Sequence, residues 1–271
     1  MIFKQSSQKF VALSAALSLG VISVPLMATS LRAQSAQDPF VQTHYLKVEF
    51  QGPRRGSPPK TVGGGSRGCS YLDAGKHSTT ALVPPSQHLA LTAQADPTFF
   101  WYVPRSAAKA LEFTLMDEDD QTELYRVSLP IPQESRIVSL SLPSNSEKPL
   151  LEAGKMYHWY LAMVCDPQDR TGDIAMDGWI ERVDSSTLFV RPNLTLADAL
   201  ASTSRPEEEF AFYAKAGVWH DAIATLAELR RSHPDNAAVE AGWEKLLKSV
   251  GLERFSQIKL HSEHQQVSSK R

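Results

Sequence analysis

The stretch KMYHWYLAMVCD, residues 155–166, alternates regularly between two sets of side chains. Every second position is apolar and would point to one side of an extended strand. These positions are Tyr157, Trp159, Leu161, Met163 and Cys165. The opposite side is apolar enough to lie under a neighbouring sheet or loop. We therefore predict a central β-strand here, with Trp159 buried.

Short apolar runs of this kind recur along the chain, separated by proline, glycine or acidic turns. They cover residues 79–83, 88–92, 97–103, 111–116, 124–129, 137–142, 155–166 and 178–183. The acidic residues 117–120 are expected to join two of these runs as a hairpin. Strands at this spacing, with no helical pattern between them, are typical of an antiparallel β-sandwich. We assign residues 77–190 to such a domain, of immunoglobulin or fibronectin-like type.

Aromatic residues are frequent in these runs and are expected to fill the core of the sandwich. The set comprises Phe99, Trp101, Tyr157, Trp159 and Trp179. The alternative is that such a set lines a sugar-binding site.

The apolar period changes to about 3.6 residues after residue 205, which predicts helices. Breaks at Gly217, residues 233–235 and Gly251 divide residues 206–252 into three helices, and Ser204 with Glu207 forms a capping box before the first. Residues 191–205 are a connector in which 194–201 can form a short helix. Three helices are too few to cover their own apolar faces. We expect them to pack on the sandwich, with Trp219 or Trp243 in the seam, and the alternative is that they bind a second protein.

Both ends of the chain differ from this middle part. Lys4 and Lys9 precede an uncharged apolar run, residues 10–27, and small residues follow it. This predicts a secretory signal over 1–33, cleaved after Ala33, with an uncleaved membrane anchor as the alternative. Residues 34–76 are expected to be a flexible lead segment and 253–271 a disordered tail. No membrane span is expected after cleavage.

Cleavage of that signal would change the net charge of the chain, and export would place its two cysteines in an oxidising compartment. The chain has 28 basic and 30 acidic residues; removing Lys4, Lys9 and Arg32 leaves 25 basic residues and a net charge of −5. This balance excludes a general nucleic-acid binder. Export places Cys69 and Cys165 in a compartment where disulfides persist, so we predict that they are bridged. The alternative is two unlinked thiols.

The metal-binding and redox motifs HExxH and CxxC are missing from the sequence. The glycines at 63–65 lack the strand, helix and lysine of a phosphate loop. The aspartates of the loop 165–178 lack EF-hand spacing and are interpreted as turn formers. A dyad of His158 with Cys165 is excluded because the two point to opposite faces of one strand. A carboxylate pair of Glu118 with Asp169 would require two loops to meet. We assign no catalytic, metal or cofactor residues.

Several stretches resemble one cyanobacterial family of exported proteins, known as domain of unknown function number nine-two-eight. They are the glycines 63–65 with Arg67 and Cys69, TALVP at 80–84, PTFFWYVP at 97–104, VSLSLP at 138–143 and LEAGKMYHWYLAMVCDPQDR at 151–170. The helical ending, GVWHDAIATLAELRR and SVGL, is similar to that family too. The resemblance implies an exported cyanobacterial protein and no particular activity. Residues 213–247 also resemble about one and a third tetratricopeptide repeats.

Two functional hypotheses follow. The first is a non-enzymatic envelope protein, periplasmic or extracellular, that binds or scaffolds another envelope protein. The second is a carbohydrate-binding or hydrolytic envelope protein that uses exposed aromatics and aspartates. A cleft lined by exposed tryptophan and paired carboxylates would favour the second hypothesis, and a continuous apolar patch on the helices would favour the first.

Overall fold

A computed structural model describes residues 48–52, 69, 72, 78–85, 89–144 and 149–261. The predicted signal over 1–33, its cleavage site and the glycines 63–65 lie outside the described residues.

Two main β-sheets form the first part of the described chain. One has three strands in the order β1 (Thr80–Ala81), β3 (Thr98–Val103) and β6 (Arg136–Ser141), all antiparallel. The other has five strands in the order β2 (Leu89–Thr92), β8 (Ile174–Arg182), β7 (Met156–Val164), β4 (Ala110–Met116) and β5 (Glu123–Leu129). Strand β7 is the middle strand and pairs antiparallel with both neighbours, as predicted.

One strand pair departs from the expected all-antiparallel arrangement. Strand β2 lies parallel to β8, with Leu89 opposite Trp179 and Thr92 opposite Arg182. The two strands are separated by most of the sheet region along the chain, so no tight turn constrains their relative direction. The five-stranded sheet is therefore mixed.

The inner faces of the two sheets share one apolar cluster. The Phe99 ring of β3 lies 5.0 Å from that of Phe113 on β4, and the Trp101 and Trp159 rings are 6.0 Å apart. Trp159 is 1% exposed, which confirms that this side of β7 faces inward. Trp179 is also buried, but it lies on the opposite face of the five-stranded sheet, beside His158. Its assignment to the inner core was wrong, because alternation sends positions 178 and 180 inward.

A small hairpin and four helices follow the sheets. Strands β9 (Phe189–Arg191) and β10 (Leu194–Thr195) pair in the connector, where the sequence predicted no strand. The helices are α1 (Leu196–Ala201), α2 (Pro206–Ala216), α3 (Trp219–Ser232) and α4 (Ala237–Ser249), so the three predicted helices of 206–252 are present.

The capping box predicted from Ser204 and Glu207 does not form. Helix α2 starts with Pro206 after Arg205, which makes no side-chain capping bond. Thr203 donates instead to Glu208, at 2.7 Å. Proline fits the first helical position because its missing N–H would have no partner there. The helix ends at Gly217, in the left-handed conformation with φ 75°.

The helices pack on the sheets of the same chain, as expected. A second apolar cluster joins α2, α3 and α4 to Leu82, Phe100 and Ile137. Trp219 is fully buried in the seam, where its Nε1 donates to the backbone oxygen of Leu82 at 2.7 Å. The apolar faces of the helices are therefore covered within the chain.

Two short segments join this second cluster against expectation. Residues 253–261 were assigned to a disordered tail, but Phe255 is fully buried and the backbone of Ile137 on β6 bonds to Lys259 and His261, at 3.0 and 2.7 Å. Val48 and Phe50, from the segment predicted to be flexible, also lie against the helices; the Phe50 ring is 4.9 Å from that of Trp219. The segment 253–261 has no regular period, so nothing local in the sequence indicated its order.

Candidate functional site: the His158 cluster

Two tripeptides face each other across strands β7 and β8. His158, Trp159 and Tyr160 pair with Trp179, Gly178 and Asp177, respectively. Alternation sends Trp159 into the core and the other side chains to the outer face of the sheet. A Cβ atom at Gly178 would lie 2.4 Å from the Trp159 ring, so glycine is required for this close approach.

His158 is bonded on both sides of its ring. Its Nδ1 lies 2.9 Å from both carboxylate oxygens of Asp120, and its Nε2 lies 2.9 Å from Oδ2 of Asp177. The Trp179 ring stacks on the imidazole, with centroids 4.1 Å apart and planes 11° apart. The His158 side chain is only 3% exposed. A neutral imidazole can donate to one of these carboxylates, and an imidazolium can donate to both.

Asp120 reaches this cluster from the turn between β4 and β5. Its backbone is left-handed, with φ 55°, a conformation that aspartate tolerates better than most residues. The turn is closed by bonds from Asp117 N to Thr122 O, at 3.0 Å, and from Gln121 N to the Asp117 carboxylate, at 2.7 Å. The His158 cluster therefore ties the tip of the β4–β5 hairpin to the middle of the sheet.

Tyr160 completes the cluster. Its hydroxyl lies 3.2 Å from Asp120 and 2.8 Å from Nδ1 of His158. Burial and then the negative charges of Asp120 and Asp177 raise the pKa of Tyr160 to about 12. The phenol therefore keeps its proton at neutral pH, which disfavours a role as nucleophile or general base. The arrangement is suited to fastening strands together.

The aspartates of the loop 165–178 have separate partners. Asp166 accepts from Gln168 N, Asp169 from Thr171 N, and Asp173 from Cys165 N, at 2.8, 3.0 and 3.0 Å. Asp177 turns instead to His158. No group of three potential metal ligands occurs among the residues that the structure describes. Asp166 and Asp169 each stabilise a turn through the backbone N–H two residues on, as interpreted from the sequence, whereas Asp173 bonds across the loop to Cys165.

Cys69 and Cys165 form the predicted disulfide. It connects the lead segment to the end of β7. Glu118 follows the end of β4, and Asp169 follows the end of β7. Because these two strands are antiparallel, with Met116 opposite His158 and Ala110 opposite Val164, the two carboxylates lie at opposite ends of the strand pair. The structure does not bring that suggested pair together.

A cleft of about 740 Å³ lies beside the β4–β5 turn, at the same end of the sheet as Asp120. Most of its polar lining is acidic, and Lys155, which also lines it, pairs with Glu152 at 2.8 Å. The acidic members are Asp117, Glu118, Asp119, Glu123 and Glu152. Leu124, Pro149 and Leu150 supply apolar wall.

Two further ionisable side chains are buried where α3 meets the sheets. His220 Nδ1 donates to Thr98 O at 3.2 Å, and burial lowers the pKa of His220 to about 4. The Asp221 carboxylate accepts from Ala93 N at 3.1 Å, and burial raises its pKa to about 6. Among the residues that the structure describes, none forms a hydrogen bond with His220 Nε2 or Asp221 Oδ1.

Most of the chain matches a known family. Residues 62–260 match the Domain of Unknown Function DUF928. The chain belongs to the DUF928 family. The match ends at Leu260, the residue that bridges to Ile137 of β6, so the family unit includes both sheets, the helices and the segment after them. A comparison with curated proteins finds no match. Among the described residues, no helix has the length and apolar character needed to cross a bilayer.

The sequence did not point to the His158 cluster. The available signal was a histidine and a tyrosine on the outer side of a strand that is otherwise apolar, together with the tripeptide Asp177-Gly178-Trp179. Asp120 could not be found in this way, because its approach to His158 depends on the hairpin folding back over the sheet.

Proposed function

We propose that this protein is a non-enzymatic, exported envelope protein that binds a basic segment of another envelope protein in the acidic cleft. The cleft carries this proposal: five carboxylates line it among the described residues, and the cations of those residues pair with only two of them, Lys155 with Glu152 and Arg126 with Glu123. A concave surface of one charge attracts a partner of the opposite charge and speeds its association.

The burial of His158 supports the non-enzymatic part of the proposal. His158 is almost fully covered, and Tyr160, with its pKa of about 12, holds its proton. Both ring nitrogens of His158 are occupied by carboxylates of the same cluster, Asp120 and Asp177.

Export is supported by the disulfide and by the predicted secretory signal. The cyanobacterial envelope, in its periplasmic or extracellular space, is the location that the family resemblance implies.

Two structural likenesses belong to the same proposal. The shared cluster between the two sheets supports an immunoglobulin or fibronectin-like sandwich, with β2 as a parallel addition. The succession of α2, α3 and α4 supports a tetratricopeptide-like unit. Since the chain itself covers the apolar faces of these helices, we assign partner binding to the acidic cleft.

Neither hypothesis keeps the feature that was expected to favour it: the chain covers the apolar faces of the helices, and the carbohydrate-binding or hydrolytic alternative lacks an exposed tryptophan. All five tryptophans of the chain are at most 2% exposed, so none is available to stack on a sugar ring.

Binding of a lysine-rich peptide tests the proposal. The mature chain should bind it with an affinity that falls as salt is added. The double variant Glu118→Lys/Asp119→Lys should lose binding, whereas Glu228→Lys/Asp235→Lys, which changes the charge equally on exposed sites of the helical part, should keep it. Equal binding by both variants would refute the cleft as the site. The same variants in a cross-linking pull-down from envelope extract would then identify the natural partner.

A further inference from the structure

Four strands lie at the outer edges of the two main sheets, and three of them are short, buried or paired. In the described part of the chain, β1 has two residues, and the four residues of β2 are all buried. The β6 edge is paired at Ile137, whose backbone bonds to Lys259 and His261. Strand β5 differs from these three, because it has seven residues and three of them are exposed.

The backbone of β5 is bonded on one side only. It pairs antiparallel with β4, from Leu111 opposite Leu129 to Met116 opposite Glu123. Within the residues that the structure describes, no other segment makes a backbone hydrogen bond to β5. In an antiparallel pair, every second residue points its N–H and C=O away from the partner strand. Strand β5 therefore presents a row of unpaired donors and acceptors, which is a template for a further strand.

The side chains of β5 give this edge little protection. Natural proteins often guard an exposed edge with proline or with charged side chains, including charges that point inward. Strand β5 contains no proline, and its two charged residues, Glu123 and Arg126, neutralise each other at 2.5 Å. Its inward side chains, Tyr125, Val127 and Leu129, are apolar and pack in the core between the sheets.

The edge begins at the acidic cleft. Glu123 and Leu124, the first two residues of β5, also line that cleft. An extended segment that fills the cleft can therefore continue along β5 without a turn. The length of β5, seven residues, sets the length of the segment that can pair with it.

We propose that β5 accepts an additional strand from the partner protein, whose basic end lies in the acidic cleft. This inference rests on the proposed function, since the charge of the cleft selects the partner. Backbone hydrogen bonds along β5 then supply affinity, as they do wherever an extended peptide joins the edge of a sheet. A second copy of this chain fits less well. Its β5 carries one glutamate and one arginine, so it brings no excess of positive charge to the cleft.

Two peptides of equal charge test this proposal on the full mature chain. Each has a stretch of alternating threonine and valine as long as β5, with two lysines at either end, and in one peptide every backbone nitrogen of the stretch is methylated. The unmethylated peptide should bind at least about tenfold more tightly, because only its stretch can donate backbone hydrogen bonds. At saturation it should also slow hydrogen exchange at every second amide of β5 by at least about tenfold.

The amide of Ile137 is the internal control, because its bond to Lys259 O, at 3.0 Å, should protect it with and without peptide. Equal affinities for the two peptides, with no added protection in β5, would reject strand addition. The cleft proposal would survive that result if Glu118→Lys/Asp119→Lys still abolished binding. Undiminished binding by this double variant, with β5 protected, would instead reject the cleft and the basic partner inferred from it. A dimeric chain with β5 protected before peptide is added would assign the edge to a second copy.

Discussion

The core between the two sheets and the core between the sheets and the helices are built from different side chains. Between the sheets the cluster is apolar and largely aromatic, with rings such as Trp101 and Trp159 packed edge to face, 69° apart. Where α3 meets the sheets, the ionisable side chains of His220 and Asp221 are buried beside Trp219.

This difference shows where the fold is sensitive to its surroundings. Apolar burial stabilises the inter-sheet core in the same way at any pH. Buried ionisable groups reduce the stability contributed by the junction, and they do so to an extent that depends on pH. The junction is therefore the place where solution conditions act most directly on this protein.

Removing the helices should have the largest effect. A fragment of residues 34–195 would expose side chains that the helices cover, among them Leu82, Phe100 and Ile137. We expect it to aggregate or to melt well below the full chain, because a large apolar patch would face water. Size-exclusion chromatography and thermal unfolding measure this. A monomeric fragment with an unchanged melting temperature would show that the two cores are independent.

Trp159→Ala should be the most damaging single change in the inter-sheet core. Truncating a large buried aromatic costs about 3 to 5 kcal/mol of unfolding free energy. Urea unfolding measures the loss, with Phe189→Ala as the control. Phe189 is 60% exposed, and its replacement should change stability by less than about 0.5 kcal/mol. If the two variants lose equal stability, Trp159 does not anchor this core.

The junction should reveal two opposite dependences on pH. The pKa of His220 is lowered from 6.5 to about 4. The neutral imidazole therefore makes its full contribution to the free energy of unfolding above pH 6.5, and this contribution is lost as pH falls toward 4. The pKa of Asp221 is raised from 3.8 to about 6, so its contribution is complete below pH 3.8 and is lost as pH rises through 6. Across its pH range, each group lowers the free energy of unfolding by about 3 kcal/mol.

Unfolding of two variants at a series of pH values separates these contributions. The free energy of unfolding of Asp221→Asn, relative to that of the wild type, should increase as pH rises from 4 to 6. The same relative value for His220→Gln should increase as pH falls from 6 to 4. Val138→Ala, in the inter-sheet core, should show a constant difference from wild type. Parallel curves for all three variants would contradict the assigned pKa directions.

Gly178→Ala should have the smallest effect of this series, about 1 to 3 kcal/mol from overpacking. The added methyl would meet the Trp159 ring, as close as 2.4 Å. A double-mutant cycle with Trp159→Phe checks this cause, since the smaller ring should relieve the clash and the two losses should not be additive. Additive losses would place the strain elsewhere.

The success of the sequence predictions differed between local and distant features. The middle strand β7, the buried Trp159 and the three helices depend on a period of two or of 3.6 residues, and periodicity is local information. The capping box was wrong because Thr203 and Pro206, which lie as near to the helix start as Ser204 does, determine how α2 begins. The segment 253–261 was missed because its order comes from pairing with β6.

Local patterns in the sequence by themselves determined most strands of the two main sheets, the three long helices and which side of β7 faces inward, because neighbouring residues determine these features. The two cysteines allowed only one pairing within the chain. The tertiary structure alone decided that Asp120 meets His158, that β2 lies parallel to β8, and that Trp219 bonds to Leu82 in the seam. Each of these depends on chain segments many residues apart being brought together, and no periodic pattern records which distant segments will meet.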